Sequence, residues 1–425
     1  DTTHLSGSFA PLINRDFRYL LLGFAIGQML MPLQFITQIL WVQHFAPPEI
    51  WLILVAFIAT SRGVGALAFG LYGGALADRY NRKNILLVIL SLQIVTTAGI
   101  ATLMLYSVGD TFSFIIFFVL TFLSSGLQSI DGPTRLAILP DVLGPALTPA
   151  GMSLNQVAGQ VAMPLAMLFT GMLIDGLGFG GAYLFSIAGL ILSIICINLM
   201  SYAPHDEQIS KADQRYGASE AFNDVKMGLQ YARGHTVILW VIILIVAMMS
   251  FGYPATASLG PTWVTTVVGV EIAEMGYVVM FWGVGSLIAA MLMTKFSSIK
   301  QRGFMLVAGA LVFSLSFVFF VSDHTPINAI IGNLGLGIGM TTTMVSSTIL
   351  IQHLVPNEFR GRIMSIFQMN MAFAQLMTMP VALLGQWLTL PVLFPLLAIT
   401  TLALVTLIII FQPQVRRAEI LQSSQ

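Results

Sequence analysis

The sequence predicts an all-α integral membrane protein of twelve transmembrane helices, arranged as two pseudo-symmetric six-helix bundles. Three observations predict it: an apolar composition, apolar runs of bilayer length, and an internal repeat. Of 425 residues, 57% are hydrophobic and only 8% charged, where a water-soluble chain carries roughly 25% charged residues. Mean hydropathy is +0.88. Runs such as 85–106 and 391–411 have the length, about 20 residues at 1.5 Å each, that a helix needs to cross ~30 Å of hydrocarbon. The first apolar stretch is too long for a signal peptide and has no small-residue cleavage site, so it reads as the first span.

Breaks at Pro, Gly and charge clusters place the spans near 17–41, 50–75, 84–106, 112–133, 149–173, 180–202, 236–259, 273–295, 302–321, 326–350, 362–386 and 391–412. Every second connection carries Lys or Arg, and these connections together hold all of the 18 basic residues except Arg62. The alternate connections, around Glu49, Asp110, Asp175, Glu271 and Asp323, hold none. Because short basic loops stay in the cytoplasm, both termini are expected there.

The polar segment 203–235 divides the chain into an N-terminal bundle, 1–202, and a C-terminal bundle, 236–412, followed by a tail, 413–425. Within this linker Phe222, Val225, Leu229 and Ala232 share one helical face, which suggests either a short amphipathic helix lying on the membrane or a plain solvated tether. A shift of 216 residues superposes the halves: Pro140 and Pro164 are 24 apart, as are Pro356 and Pro380, with Met163 and Met379 directly before the second proline of each pair. Duplication of a six-span unit explains the match. The third, sixth, ninth and twelfth spans carry only Gln93 and Asn198 as strongly polar interior residues, so these helices are expected to face lipid.

Arg62 lies about 12 residues, or ~18 Å of helix, from Gly74 and so near the bilayer centre. No acid sits at comparable depth. An unpaired guanidinium there costs at least ~2.5 kcal/mol, so Arg62 either faces a hydrated cavity and contacts an anionic or oxygen-rich substrate, or is satisfied by carbonyls and side-chain amides within the fold. Asp131 is the acid closest to the hydrocarbon, four residues before Arg135, a spacing that allows a pair on one helix face. It is a candidate for loading and releasing a proton; the alternative is a fixed charge network of Asp131, Arg135 and Asp78. Met364, Gln368, Met371, Gln375 and Met379 share a face of the eleventh span, as Gly27, Met31, Gln34 and Gln38 do in the first. Amides beside thioethers suit an adaptable cavity for bulky amphipathic molecules, or else simple interhelical bonding. Gln160 in the fifth span, Asn333 in the tenth, and the aromatic Tyr253 and Trp282 complete the candidate substrate set.

Between the second and third spans, Gly74 to Lys83 reads GALADRYNRK. It resembles the major facilitator signature GxxxDRxGRK, with Asn81 in place of a glycine; Asn is the residue that best tolerates the left-handed conformation after Gly. The resemblance implies the major facilitator fold, working by alternating access, and makes Gly74, Asp78, Arg79 and Arg82, with Arg135, a cytoplasmic gate, Asp78 meeting the N-terminus of the eleventh helix. At the position equivalent to Asp78 in the second half stands Thr294. Further stretches, Asp131-Gly-Pro-Thr-Arg135, Phe222-Asn-Asp-Val225 and Val355-Pro-Asn-Glu-Phe-Arg-Gly-Arg362, are similar to the exporter branch that includes the enterobactin exporter and macrolide efflux proteins. Related exporters carry Gly-Pro in the fifth span, where this chain has Met163-Pro164.

Six histidines, all in loops or at span ends, offer no metal pathway, and no nucleophile–base set stands out, so neither enzyme activity nor a cofactor or metal is expected. Zero net charge without a basic stripe excludes nucleic acid as a partner. A lone cysteine, Cys196, allows no intrachain disulfide. The expectation is a monomeric secondary transporter in the bacterial cytoplasmic membrane, in contact with lipid, exporting an amphipathic organic compound in exchange for protons. The alternatives are an uptake symporter for an organic anion and a non-transporting sensor or scaffold.

Overall fold

A computed structural model describes residues 9–106, 110–201, 218–296, 299 and 301–419, without the side chains of 71–79, 218–225, 357, 365 and 368. Among these residues there are helices and turns but no strand. Ten helices are long and apolar enough to cross a membrane. One of them is an 88-residue run, Thr111–Asn198, divided into three by Gly144 (φ 70°) and Gly178 (φ 71°). Among the described residues the segments of membrane length therefore number twelve.

The first helices are α1 (Arg15–Phe45), α2 (Trp51–Arg79) and α3 (Arg82–Tyr106). The long run supplies α4 (111–143), α5 (145–177) and α6 (179–198). Here the structure differs from the expected spans, which left loops of several residues at both breaks. A positive φ reverses the chain at a single glycine, which has no Cβ to clash, and Pro145 begins the next helix with its fixed φ and no N–H to leave unpaired. The linker helix α7 spans Ala218–Gly234. The second half continues with α8 (Thr236–Tyr253), a π-helical turn Pro254–Ser258 and the short α9 (Gly260–Thr266). It is completed by α10 (Ile272–Lys295), α11 (Arg302–Ser322), α12 (Pro326–Leu354), α13 (Asn357–Gly385), α14 (Leu390–Phe411) and the terminal turn α15 (Pro413–Arg416).

Helix ends are fixed by residues readable in the sequence. Asn14 caps α1 by accepting from the Asp16 and Phe17 amides, and its own side-chain amide donates to the Val142 carbonyl at the end of α4. Asp110 caps α4, and Thr325 caps α12 with Pro326 in the first turn.

The chain forms two compact units, Asp1–Ala46 with Ser61–Tyr216, and Pro47–Thr60 with Gly217–Gln425. The first fourteen of these residues of α2 and its entry thus belong with the second unit, where Gly385 would press an added Cβ against Leu52 and the Gln386 amide donates to the Glu49 carbonyl. In the first unit Phe17, Leu20, Leu86, Leu90, Ile138, Leu139 and Ile197 form one buried apolar core. In the second, α10 and α12 approach closely through glycine: an added Cβ at Gly337 would lie 2.0 Å from the Trp282 carbonyl, and one at Gly285 2.0 Å from that of Leu334. Small residues that let backbones touch are the usual adhesive where burial from water gives no driving force. Outward-facing Val95, Ile399 and Ile410 are more than half exposed, as expected for side chains whose solvent is lipid.

The linker helix contacts protein along its C-terminal half. Ala232 is fully buried while Leu229 is 43% exposed, so the two do not share an environment. Gly228 faces Ile366 of α13, and Tyr231 stacks on Phe359 of the same helix at 4.5 Å. The helix docks on protein; Phe222 and Val225 lie outside the described side chains.

Candidate functional site: a polar cleft in the first unit

Polar side chains inside the first unit form two connected groups. In the upper group, Arg62 on α2 is 4% exposed; its guanidinium Nη2 donates to Gln128 Oε1 on α4 at 3.1 Å and lies over the Phe35 ring at 5.1 Å. Gln128 Nε2 donates in turn to Gln34 Oε1 on α1, and Gln34 Nε2 to Thr97 Oγ1 on α3. The Arg62 carbonyl accepts from Ser125 Oγ at 2.7 Å. Four helices are thus linked through two amides, Gln128 and Gln34; the oxygen of Gln128 takes a cationic donor and its nitrogen serves a neutral acceptor.

The lower group begins one turn further along α4. Arg135 Nε donates to Asp131 Oδ2 at 2.8 Å, and Arg135 Nη2 donates to Ser193 Oγ on α6 at 3.0 Å. Arg135 is 1% exposed, so the pair is deeply buried on its cationic side. It fits there because Gly23 of α1 has no side chain: a Cβ would stand 2.9 Å from Arg135 Nη1. Asp131 Oδ1 and Arg135 Nη1 are buried with no hydrogen-bond partner among the described residues. Removing one member of a buried pair leaves an uncompensated charge, at a cost that is largest where the remaining group also loses its hydrogen-bond partner.

Both groups open onto one cleft of about 110 Å³, lined by Gln28, Met31 and Gln34 of α1, Leu90 and Gln93 of α3, Gln128, Asp131, Gly132 and Arg135 of α4, and Leu190 and Ser193 of α6. Gln93 is 6% exposed and faces this cleft, so α3 turns a polar side chain inward as well as apolar ones outward; α6 likewise contributes Ser193. The residue that sequence reasoning missed is Gln128. Its signal was its position three before Asp131 and seven before Arg135, the spacing of one helical face.

The remaining candidates separate. Gln38 is fully buried and donates to Tyr183 OH at 2.8 Å and to Thr121 Oγ1, away from the cleft. Gln160 is half-buried on α5. In the second unit Tyr253, Trp282, Asn333 and Gln375 are all buried, and Asn333 Nδ2 is occupied by the Ala329 carbonyl of its own helix. The side chains of Gly74, Asp78, Arg79 and Gln368 lie outside the described residues. Arg82 of the same loop pairs with Asp141 at 2.7 Å and donates to the Ala137 carbonyl, while Lys83 Nζ donates to the Asn198 and Met200 carbonyls at the end of α6. A cation at a helix C-terminus satisfies the orphan carbonyls there. Among the described residues no group of three His, Cys, Asp or Glu could hold a metal ion.

Twelve helical segments of membrane length, with a buried charge pair and an amide relay inside one six-helix unit, define a multi-pass membrane protein of the transporter class. The chain matches the Major Facilitator Superfamily over residues 19–379 and belongs to that family. Similar solved structures include a mutant of the nucleoside transporter NupG (TM-score 0.75, 13% identity, covering 94% of this chain and 100% of that one). A D-xylose-proton symporter (0.72, 14%, 98% and 100%) and a mutant of the peptide transporter POT in complex with sulfate (0.72, 12%, 95% and 95%) are also similar. At these identities the likeness is one of fold. No curated protein matches the chain in sequence.

Proposed function

We propose that the chain is a monomeric secondary transporter of the bacterial cytoplasmic membrane, with both termini in the cytoplasm, that exports an amphipathic organic compound by alternating access in exchange for protons. Resemblance of the stretches at 131–135, 222–225 and 355–362 to the enterobactin-exporter and macrolide-efflux branch supports the direction and the substrate class. The observation that carries the coupling is the Asp131–Arg135 pair, buried on its cationic side and lining a cleft shared with the Gln128–Arg62 relay. Arg62, Gln34, Gln160 and Gln375, with Tyr253, Trp282 and Asn333, are the proposed substrate contacts. Gln38 belongs to that set less directly, its amide nitrogen being engaged within the bundle.

In this reading a proton on Asp131 neutralises the carboxylate and frees Arg135 Nε, while Ser193 keeps the guanidinium in place. Gln128 stands on the same helix and reports the change to Arg62. Ordering of proton and substrate then follows from linkage: each can shift the equilibrium between conformations only by its differential affinity for them.

The buried guanidinium of Arg62 also favours a second reading, uptake of an organic anion. The two are separated by measuring accumulation of labelled amphipathic compounds in expressing cells, with and without a proton gradient. Export predicts lower accumulation in energised expressing cells and loss of the difference when the gradient is collapsed. Gradient-dependent accumulation of an anion instead would replace export with uptake.

A further inference from the structure

We propose that Gln93 of α3, with Gln28 of α1, is a recognition site for an uncharged, carboxamide-like group of the transported compound; this rests on the reading of the chain as a transporter of amphipathic organic molecules. Both residues line the cleft of the first unit. Gln93 is more than nine-tenths buried, and its side-chain amide meets no hydrogen-bond partner among the described residues. The amide of Gln28, half-buried on α1, meets none either. Gln34 and Gln128 of the same cleft are bonded to each other, so packing satisfies some amides here and leaves these two turned toward the space. A buried polar group without a partner is costly. Such a cost persists at a functional site, where a bound group supplies the missing bonds.

The cleft selects by charge and by size. A side-chain amide offers two donors and an acceptor oxygen, so Gln93 and Gln28 each give and take hydrogen bonds, and a carboxamide answers them with its own oxygen and NH2. Of the residues that line the cleft, the charged ones, Asp131 and Arg135, are paired with each other at 2.8 Å. An incoming ammonium or carboxylate would lose its water beside groups already committed to one another. A cleft of about 110 Å³, at ~30 Å³ for each water-sized group, takes about four non-hydrogen atoms, the size of a carboxamide with the carbon that bears it. Gly27 and Gly132 line the cleft too, and an added Cβ at either meets nothing within 4 Å, so the backbone leaves room beside the two amides. Phe24 and Met31, on the same helix as Gln28, supply apolar surface for the rest of an amphipathic compound.

Equilibrium binding to the purified full chain in non-ionic detergent tests this, with one fluorophore carrying three different heads: dansyl-glycinamide (neutral), dansyl-glycine (anionic) and dansylamidoethyl-trimethylammonium (cationic). The expected result is saturable binding of the glycinamide at least about tenfold tighter than of either charged probe, since a site built to hydrogen-bond one group rejects analogues lacking it. Gln93→Leu keeps the volume and breaks no bond within the protein. It should abolish the preference for the neutral head while the ligand-free variant melts at or above the parent temperature, because an unpartnered amide has been replaced by an apolar group. A structural amide would behave oppositely, so a lowered melting temperature in Gln93→Leu overturns the assignment. Gln28→Leu provides the second variant, with the same expected loss of preference. Three results overturn the site: no saturable binding of the glycinamide, the cleft then holding water only; equal or tighter binding of a charged head; or a preference unchanged in both variants. Because binding is read without flux or gradient, a preference that depends on Gln93 upholds the site even where cells show no gradient-driven export, a result that would overturn the export reading alone.

Discussion

Gln128 joins Arg62 of α2 to Gln34 of α1 and, through it, Thr97 of α3. Gln128→Leu keeps the volume and removes an acceptor from a guanidinium that is 4% exposed. The expected cost is about 1–3 kcal/mol, because the loss of a partner to a buried charged donor exceeds the net value of a neutral bond. Gln128→Glu, which still accepts, should recover most of it, and thermal unfolding of the purified protein in detergent distinguishes the two. Equal stability of Gln128→Leu and the parent would mean that Arg62 relies on other contacts. The pair below behaves differently. Arg135→Met leaves Asp131 without its cation, and the expected loss is on the order of 3–5 kcal/mol, whereas Asp131→Asn retains an acceptor for Arg135 Nε and should fold. That contrast makes Asp131→Asn the usable probe of function.

Helix contacts set the next scale. The α10–α12 crossing depends on Gly337, where a Cβ would stand 2.0 Å from a backbone carbonyl that cannot swing aside. Gly337→Ala should destabilise by roughly 1–3 kcal/mol through overpacking, while Gly27→Ala, with nothing within 4 Å, should be nearly neutral in the same thermal assay. The start of α4 offers a pH-dependent counterpart. Ser113 Oγ donates to Asp110 Oδ1, and its backbone amide to Oδ2, which lowers the Asp110 carboxyl below the ordinary carboxylate range. A lowered folded value means that the cap's contribution is complete above the ordinary value and fades as pH falls through the lowered one. Asp110→Asn, which caps without a charge, should flatten that acid limb in a pH series of melting temperatures; an unchanged limb would remove Asp110 as its source.

At the scale of the whole molecule, the twelve segments and their helical class were readable because apolar runs of bilayer length admit few alternatives. Single-residue reversals at Gly144 and Gly178 were not, since a glycine announces only that φ can be positive and not that it is. The Asp131–Arg135 pair followed from a spacing of four on one helix, whereas the Arg62–Gln128–Gln34 relay joins residues 66 and 94 positions apart, a proximity that only packing creates. That Gln93 reaches the cleft was not readable, because a lone amide on an otherwise apolar helix does not say which side is covered. In the proposed mechanism the charge pair in its polar cleft couples proton to substrate. Its most direct test is proton movement by the purified protein in liposomes carrying an internal pH dye, after addition of individual amphipathic compounds. The account predicts that a transported compound drives proton movement in the opposite direction, and that Asp131→Asn, folded and still binding the compound, moves none. Equal substrate-driven proton movement in Asp131→Asn would contradict it.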